Sequence, residues 1–326
     1  MKNANRIAYY VLRRLLKYSS PLIGHFQKAS VKSLASAKEM AQPVFILGVP
    51  RSGTTVTYQL ITNYFDVLYP DNLVHLCREN PYVGFWLSNT FFGDAAHNCF
   101  QSNRGNTLAC GLHAPNQAPI FWHRYIHDLA VRTNDLNVIT EQAKNAVYNS
   151  VFSVINRYKK PLVMKGAAVG NNLNIFLNIF PRAKFIQFKR DPLYNAQSLL
   201  ITTRNMGLAF EDAWMKRVKP YNHKLIKETP SVYKKIALYI HALLLQNKED
   251  LKSIPKEHVV SFSYEDLSVS TNQVIEKVAA LLGAHARLRK DAVAPRLENR
   301  NVKHISDEDF EKLSGEIHAL DWQNII

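Results

Sequence analysis

Arg51 stands inside a glycine-flanked turn, and its neighbours carry hydroxyls. The stretch Gly48-Val49-Pro50-Arg51-Ser52-Gly53-Thr54-Thr55 has the glycine spacing of the nucleotide-binding P-loop, Gly48-xxxx-Gly53. Thr54 occupies the position of the P-loop lysine, and Arg51 supplies positive charge instead. A kinase or ATPase uses that lysine on the transferred phosphoryl group and a Ser/Thr hydroxyl on Mg²⁺. Thr55 keeps the hydroxyl, yet the missing lysine disfavours ATP hydrolysis. What remains is a cradle for phosphate or sulfate, built from free backbone N–H groups, a helix dipole and a cation. The competing reading is a glycine turn that binds nothing.

A second cluster of the same character lies far along the chain. Arg190-Asp191-Pro192 is followed by Ser198, eight residues after the arginine. Pro192 suits a first helical turn, which sets Ser198 two turns along that helix. Arginine with serine fits a phosphate monoester, one giving a charge-assisted bidentate contact and the other a neutral donor. The alternative for Arg190 is a surface arginine paired with Asp191.

The elements that must position these residues can be read from the apolar pattern. Val44 to Leu47 reads as a buried strand and Thr54 to Phe65 as the helix after the turn. Further on, strands at 161–165 and 184–188 alternate with helices at 171–180 and 192–206. A long helix at 232–254, a strand at 258–262 and a helix at 272–282 follow, after an earlier helix from about Thr140 to Tyr158. Alternation with short links predicts right-handed crossovers and an α/β, P-loop-type three-layer fold: a central, mostly parallel β-sheet flanked by helices. Ligands of such sheets bind off the carboxyl ends of the strands, where both clusters fall.

Composition bounds the rest. Nearly half of the 326 residues are hydrophobic, so a sizeable core is expected, and the net charge of +15 favours anionic partners. Charge alone names no specific nucleic acid. The three cysteines, Cys77, Cys99 and Cys110, lack metal-ligand spacing. Reduced thiols are the simplest reading, with one disulfide left open. No stretch reaches the roughly 20 apolar residues that span a bilayer. Residues 1–42 read as a basic amphipathic helix and a linker, with a loose helix as the alternative for residues 19–42. Ile7, Val11, Leu15 and Tyr18 form its stripe, with Arg6, Arg13, Arg14 and Lys17 beside it. Such a helix either docks on its own domain or lies on an anionic membrane through residues 6–18. Residues 43–326 read as a single domain with an irregular, aromatic insert around 75–125, where acceptor specificity is expected.

Gly-Val-Pro-Arg-Ser-Gly-Thr-Thr resembles the loop with which sulfotransferases hold the 5′-phosphosulfate of 3′-phosphoadenosine 5′-phosphosulfate (PAPS). Its spelling is that of the tyrosylprotein, carbohydrate and bacterial branch. Arg190-Asp-Pro with Ser198 resembles the family's 3′-phosphate motif. Phe180-Pro-Arg-Ala-Lys-Phe-Ile186, Tyr264-Glu-Asp-Leu267 with Leu281-Leu-Gly283, and Val163-Met-Lys-Gly166 resemble further landmarks in the same order. The resemblance runs from about residue 43 to 283 and passes over the N-terminal helix and residues 75–160.

The resemblance implies sulfuryl transfer from PAPS, with no metal, to a hydroxyl or amine of an acceptor such as a carbohydrate or a lipid. It implies donor contacts from Pro50, Arg51, Ser52, Gly53, Thr54, Thr55, Arg190 and Ser198, closed by Arg300 and Lys303 from the tail. Lys165 is the candidate for the bridging oxygen of the donor. The family's histidine two residues beyond that lysine is Ala167 here. The base is therefore sought at Asp71, His75 or His113. A P-loop kinase of small molecules and a non-catalytic nucleotide- or membrane-binding protein are the alternatives. A cytoplasmic location, with peripheral membrane contact through the N-terminal helix, fits this reading. The sequence does not specify the oligomeric state.

Overall fold

The computed structural model describes residues 11, 13–103, 105–117, 126, 139–165, 173–216, 218–220, 222–293, 295, 297–323 and 325. Among these residues four strands form one sheet: β1 (Val44–Leu47), β2 (Val163–Lys165), β3 (Lys184–Lys189) and β4 (Val259–Ser263). Their order is β2-β1-β3-β4 and every pairing is parallel. In register, Phe45 of β1 lies between Met164 and Phe185.

The helices in chain order are α1 (Ser20–Ala35), α2 (Thr54–Tyr64), α3 (Asn72–Leu76), α4 (Pro81–Phe92), α5 (Glu141–Tyr158) and α6 (Leu173–Ile179). They continue as α7 (Pro192–Met206), α8 (His223–Glu228), α9 (Val232–Leu251), α10 (Tyr264–Val269), α11 (Thr271–Leu282) and α12 (Asp307–His318). Alternate strand residues enter different cores, as the period of two requires. Phe45, Leu47, Met164 and Phe185 pack with Val151 and Phe152 of α5 and with Phe176 of α6. Val44, Ile46, Val163 and Ile186 pack with Tyr58 and Ile61 of α2 and with Val278 of α11. Helices on both faces make three layers, and burial on both faces explains the continuous apolar run of β1. A further cluster joins α7, α9 and α12 through Leu199, Leu243 and Leu313.

Local chemistry sets the helix starts next to the sheet edge. Gly53, at φ +109°, turns the chain into α2. Asp191 caps α7 by accepting from the Leu193 and Tyr194 amides, with Pro192 in the first turn. Ser263 and Asp266 form a capping box that opens α10 directly after β4.

Two expectations are corrected and one alternative is decided. Of the linker or loose helix expected over residues 19–42, the structure has a helix, α1, which packs through Ile23, Val31 and Leu34 onto the first core. The insert is not irregular throughout, because α3 and α4 occupy its first part. Their signal is concealed because α4 is buried at its start and exposed at its end, so no single stripe runs through it. Gly84 lets the two helices touch, since a Cβ there would lie 2.9 Å from Val74 Cα. The thiols are not all reduced: Cys99 and Cys110 form a disulfide, and Cys77 is buried and free. Within the aromatic insert, Phe121, Trp122 and Tyr125 lie outside the described residues, as do Arg6, Ile7, Gly166 and Ala167.

Candidate active site

The loop after β1 and the start of α7 after β3 meet because β1 and β3 are neighbours in the sheet. Arg51, itself at φ +70°, donates from Nε to Ser198 Oγ at 3.1 Å. Arg190 returns the contact, giving Nη1 to the Arg51 carbonyl at 3.2 Å. Asn195 Nδ2 also reaches the loop, at the Pro50 carbonyl, 2.9 Å away. The two cradles read from the sequence therefore form one continuous site.

Arg190 is held on several sides. Its Nε donates to Asn301 Oδ1 at 2.9 Å and its Nη2 to the Arg300 carbonyl at 3.4 Å. The guanidinium carbon lies 4.7 Å from the centre of the Tyr264 ring. Asn301 in turn donates to Glu265. Gln197 of α7 grips the tail, donating to the Val302 carbonyl and accepting from the His304 amide. Asp191 is occupied at the cap of α7, so the paired-surface reading of Arg190 does not describe the site.

Lys165, at the end of β2, comes from the other side of the loop. Its Nζ donates to Thr55 Oγ1 at 2.9 Å. Burial and the nearby Arg51 bring its ammonium down from the ordinary lysine range to about 7.

A cavity of about 1000 Å³ opens over these groups. Pro50, Arg51, Gly53, Thr54 and Thr55 line one side, and Lys165, Arg190, Ser198 and Arg300 line the others. Ser52 lies buried in the loop, and its Oγ has no hydrogen-bond partner. Gly48 and Gly53 keep the cradle narrow. A Cβ at Gly48 would meet the Phe188 carbonyl at 2.7 Å, and one at Gly53 the Phe188 ring at 2.8 Å. An orphaned hydroxyl, a helix N-terminus and four cations fit an elongated ligand with anionic groups at two places.

The base candidates read from the sequence are not brought to this cavity. Asp71 is fully buried as the cap of α3, accepting from the Val74 amide at 2.8 Å and from Ser88 Oγ at 2.5 Å. His113 lies 3.5 Å from Asp71, bonds Tyr69 and stacks on Phe92. The same group holds His97, which burial and His113 push down to about 3. His75 lies on α3, where burial, then Arg78 and Arg13, lower its pKa. Lys303 turns to Asp307 and the Phe310 ring rather than to the cavity. Sequence reasoning passed over His304 and Glu298, which do line it, and over Tyr264 as the platform under Arg190. Tyr264 had a visible signal in the Tyr-Glu-Asp-Leu motif. The other two lie in a tail whose course no local pattern encodes.

The fold and the site define a P-loop-type α/β protein whose strand edges share one cavity lined by Arg51, Lys165 and Arg190. The chain belongs to the Sulfotransferase family, whose profile matches residues 43–286. It is 24% identical over 209 residues to the omega-hydroxy-beta-dihydromenaquinone-9 sulfotransferases Stf3 of Mycobacterium bovis and Mycobacterium tuberculosis. That match covers 58% of this chain and 52% of each relative, so the chain spans about half the length of those curated relatives. The crystal structure of sulfotransferase STF9 from Mycobacterium avium has the same fold, with a TM-score of 0.51 at 12% identity. The alignment covers 91% of this chain and 72% of that one.

Proposed function

We propose that this chain transfers a sulfuryl group from PAPS to a hydroxyl of a lipid acceptor. The observation that carries the reading is the joining of the two cradles by the Arg51–Ser198 and Arg190–Arg51 contacts. A nucleotide with anionic groups at both its 5′ and 3′ positions needs such a pair at one site. When bound, the phosphosulfate supplies the sulfuryl group and leaves as a bisphosphate.

In this reading Ser52, the loop amides and Thr54 hold the 5′ end. Arg190 and Ser198 hold the 3′-phosphate, with Tyr264 fixing the plane of the guanidinium. Lys165 neutralises and protonates the oxygen on which charge develops as the S–O bond breaks, a form of electrostatic stabilisation. Glu298 and His304 are the described cavity-lining groups able to accept the proton of an acceptor hydroxyl. Stf3 is named for an ω-hydroxylated menaquinone, which supports a hydroxylated lipid as the acceptor class here.

The kinase reading loses ground on a specific contact. Thr55 Oγ1, the hydroxyl that a P-loop kinase gives to Mg²⁺, already accepts from the Lys165 ammonium. A cation so placed repels a divalent metal.

The test is a transfer assay with ³⁵S-labelled PAPS against hydroxylated isoprenoid lipids, carbohydrates and simple phenols. Label on the isoprenoid alcohols supports the proposal. Label confined to carbohydrates or phenols overturns the acceptor class, and phosphoryl transfer from ATP overturns the reaction.

A further inference from the structure

The N-terminal helix carries an apolar stripe that the described residues of its own domain do not cover. Val11, Leu15, Tyr18, Leu22 and Phe26 follow one another at helical spacing, and all are exposed, Tyr18 by 80% and Leu22 by 82%. The stripe that docks α1 on the core is a different one, formed by Ile23, Gln27, Val31 and Leu34. Two apolar stripes on one helix mean two partners, and only one of them is within this chain's described residues. The exposed stripe continues sideways onto α4. Phe26 packs edge-on against Trp86, at 6.4 Å between ring centres, and Trp86 and Phe91 are exposed in turn.

Charge identifies the second partner. The first 38 residues contain eight Lys and Arg and no Asp or Glu. Arg13, Arg14 and Lys17 stand exposed beside the stripe, and Lys28 and Lys32 continue the charge along α1. Between this helix and the α3–α4 corner opens a cleft of about 480 Å³. Arg13, Arg14, Lys17 and Arg78 supply its charge, while Leu16, Ile23 and Leu76 are among its apolar walls. Its one acid, Glu79, lies 3.8 Å from Arg78. Behind it, the buried Nδ1 of His75 has no hydrogen-bond partner. An apolar stripe with cationic edges and a cationic cleft with apolar walls fit one kind of surface: acyl chains under anionic headgroups. A second copy of the chain would set the same positive charges against each other.

We propose that α1, the helical residues 11 and 13–18 before it and the exposed end of α4 dock the protein on an anionic lipid bilayer. In this arrangement the cleft holds a headgroup phosphate. α4 leads into residues 100–103, which line the donor cavity, so docking would bring that wall of the cavity to the surface that holds lipid substrates. The docking itself is independent of the sulfotransferase reading, because it needs neither donor nor turnover.

The experiment is co-sedimentation of the full chain with phosphatidylcholine vesicles, with and without phosphatidylglycerol. The expected affinity is at least about tenfold higher with phosphatidylglycerol. Leu15→Glu with Leu22→Glu, and separately Arg13→Glu with Arg14→Glu, should each lower it by at least about tenfold. The melting temperature and the response to adenosine 3′,5′-bisphosphate should stay unchanged. Should the leucine pair disturb folding, quenching of Trp86 by brominated phosphatidylglycerol in the wild-type chain decides instead, read against Trp86→Phe. Quenching supports docking and its absence overturns it. Equal binding to both vesicles, wild-type binding by folded variants, or a lipid-free dimer that the leucine pair dissociates would each overturn the proposal.

Discussion

Lys165 is where burial and the proposed chemistry pull in opposite directions. Its ammonium is buried at the end of β2 beside Arg51, which brings it down to about 7, whereas in the unfolded chain it titrates near 10.5. Between those values the unfolded state binds more protons, so this residue makes stability rise as pH rises from about 7 towards 10.5. Below 7 the lysine is charged in both states and the cost of burial is fully present. Lys165→Met should therefore melt higher than wild type near pH 6, by ~2 °C, with the difference shrinking above pH 9. An anion in the cradle restores the charge, so wild-type affinity for adenosine 3′,5′-bisphosphate should fall between pH 7 and 9. The Met variant should bind more weakly and with a flatter profile. Thermal melts and calorimetric titrations across that range check both statements. A parallel decline in the two proteins would contradict the role given to Lys165.

At the scale of elements, the loop closed by the Cys99–Cys110 disulfide lies along the cavity over Arg51 and Lys165. It is pinned to α2 as well, because Gln59 Nε2 donates to the Cys99 and Gln101 carbonyls. A disulfide across a short loop contributes about 2–4 kcal/mol, chiefly by restricting the unfolded chain. Cys99→Ser with Cys110→Ser should lose about that much in urea unfolding and weaken bisphosphate binding several-fold. Unchanged binding would show that this wall plays no part in holding the donor. These elements also mark where the sequence stops being legible. The strand–turn–helix around Gly48 to Thr55 is visible because its signals are local: a run of apolar residues, two glycines and a hydroxyl pair. The disulfide and the short helices α3 and α4 depend on partners brought together by the fold. Asp71 illustrates the same point, for a carboxylate after the loop helix reads equally as a base or as a cap. Its bonds to the Val74 amide and Ser88 make it a cap.

For the whole molecule, the strand order β2-β1-β3-β4 is what turns separate motifs into a site. Arg51 and Arg190 are far apart in sequence, yet they touch because β1 and β3 are adjacent and both run toward the same edge. Lys165 arrives from the opposite neighbour, β2, and the tail around Arg300 closes over the result. The alternation of strands and helices predicts the parallel sheet, but only the assembled order decides which strand ends meet. The net charge of +15 adds attraction for any anionic ligand. Specificity must come from the joined cradle. Its most direct test is calorimetric titration of adenosine 3′,5′-bisphosphate and of ATP with Mg²⁺ into the wild-type chain and into Arg190→Ala. The bisphosphate should bind the wild type well and ATP with Mg²⁺ poorly. In the folded variant, bisphosphate affinity should drop roughly 10- to 100-fold, the loss of a charge-assisted contact. Tighter binding of ATP with Mg²⁺, or bisphosphate binding indifferent to Arg190, would contradict it.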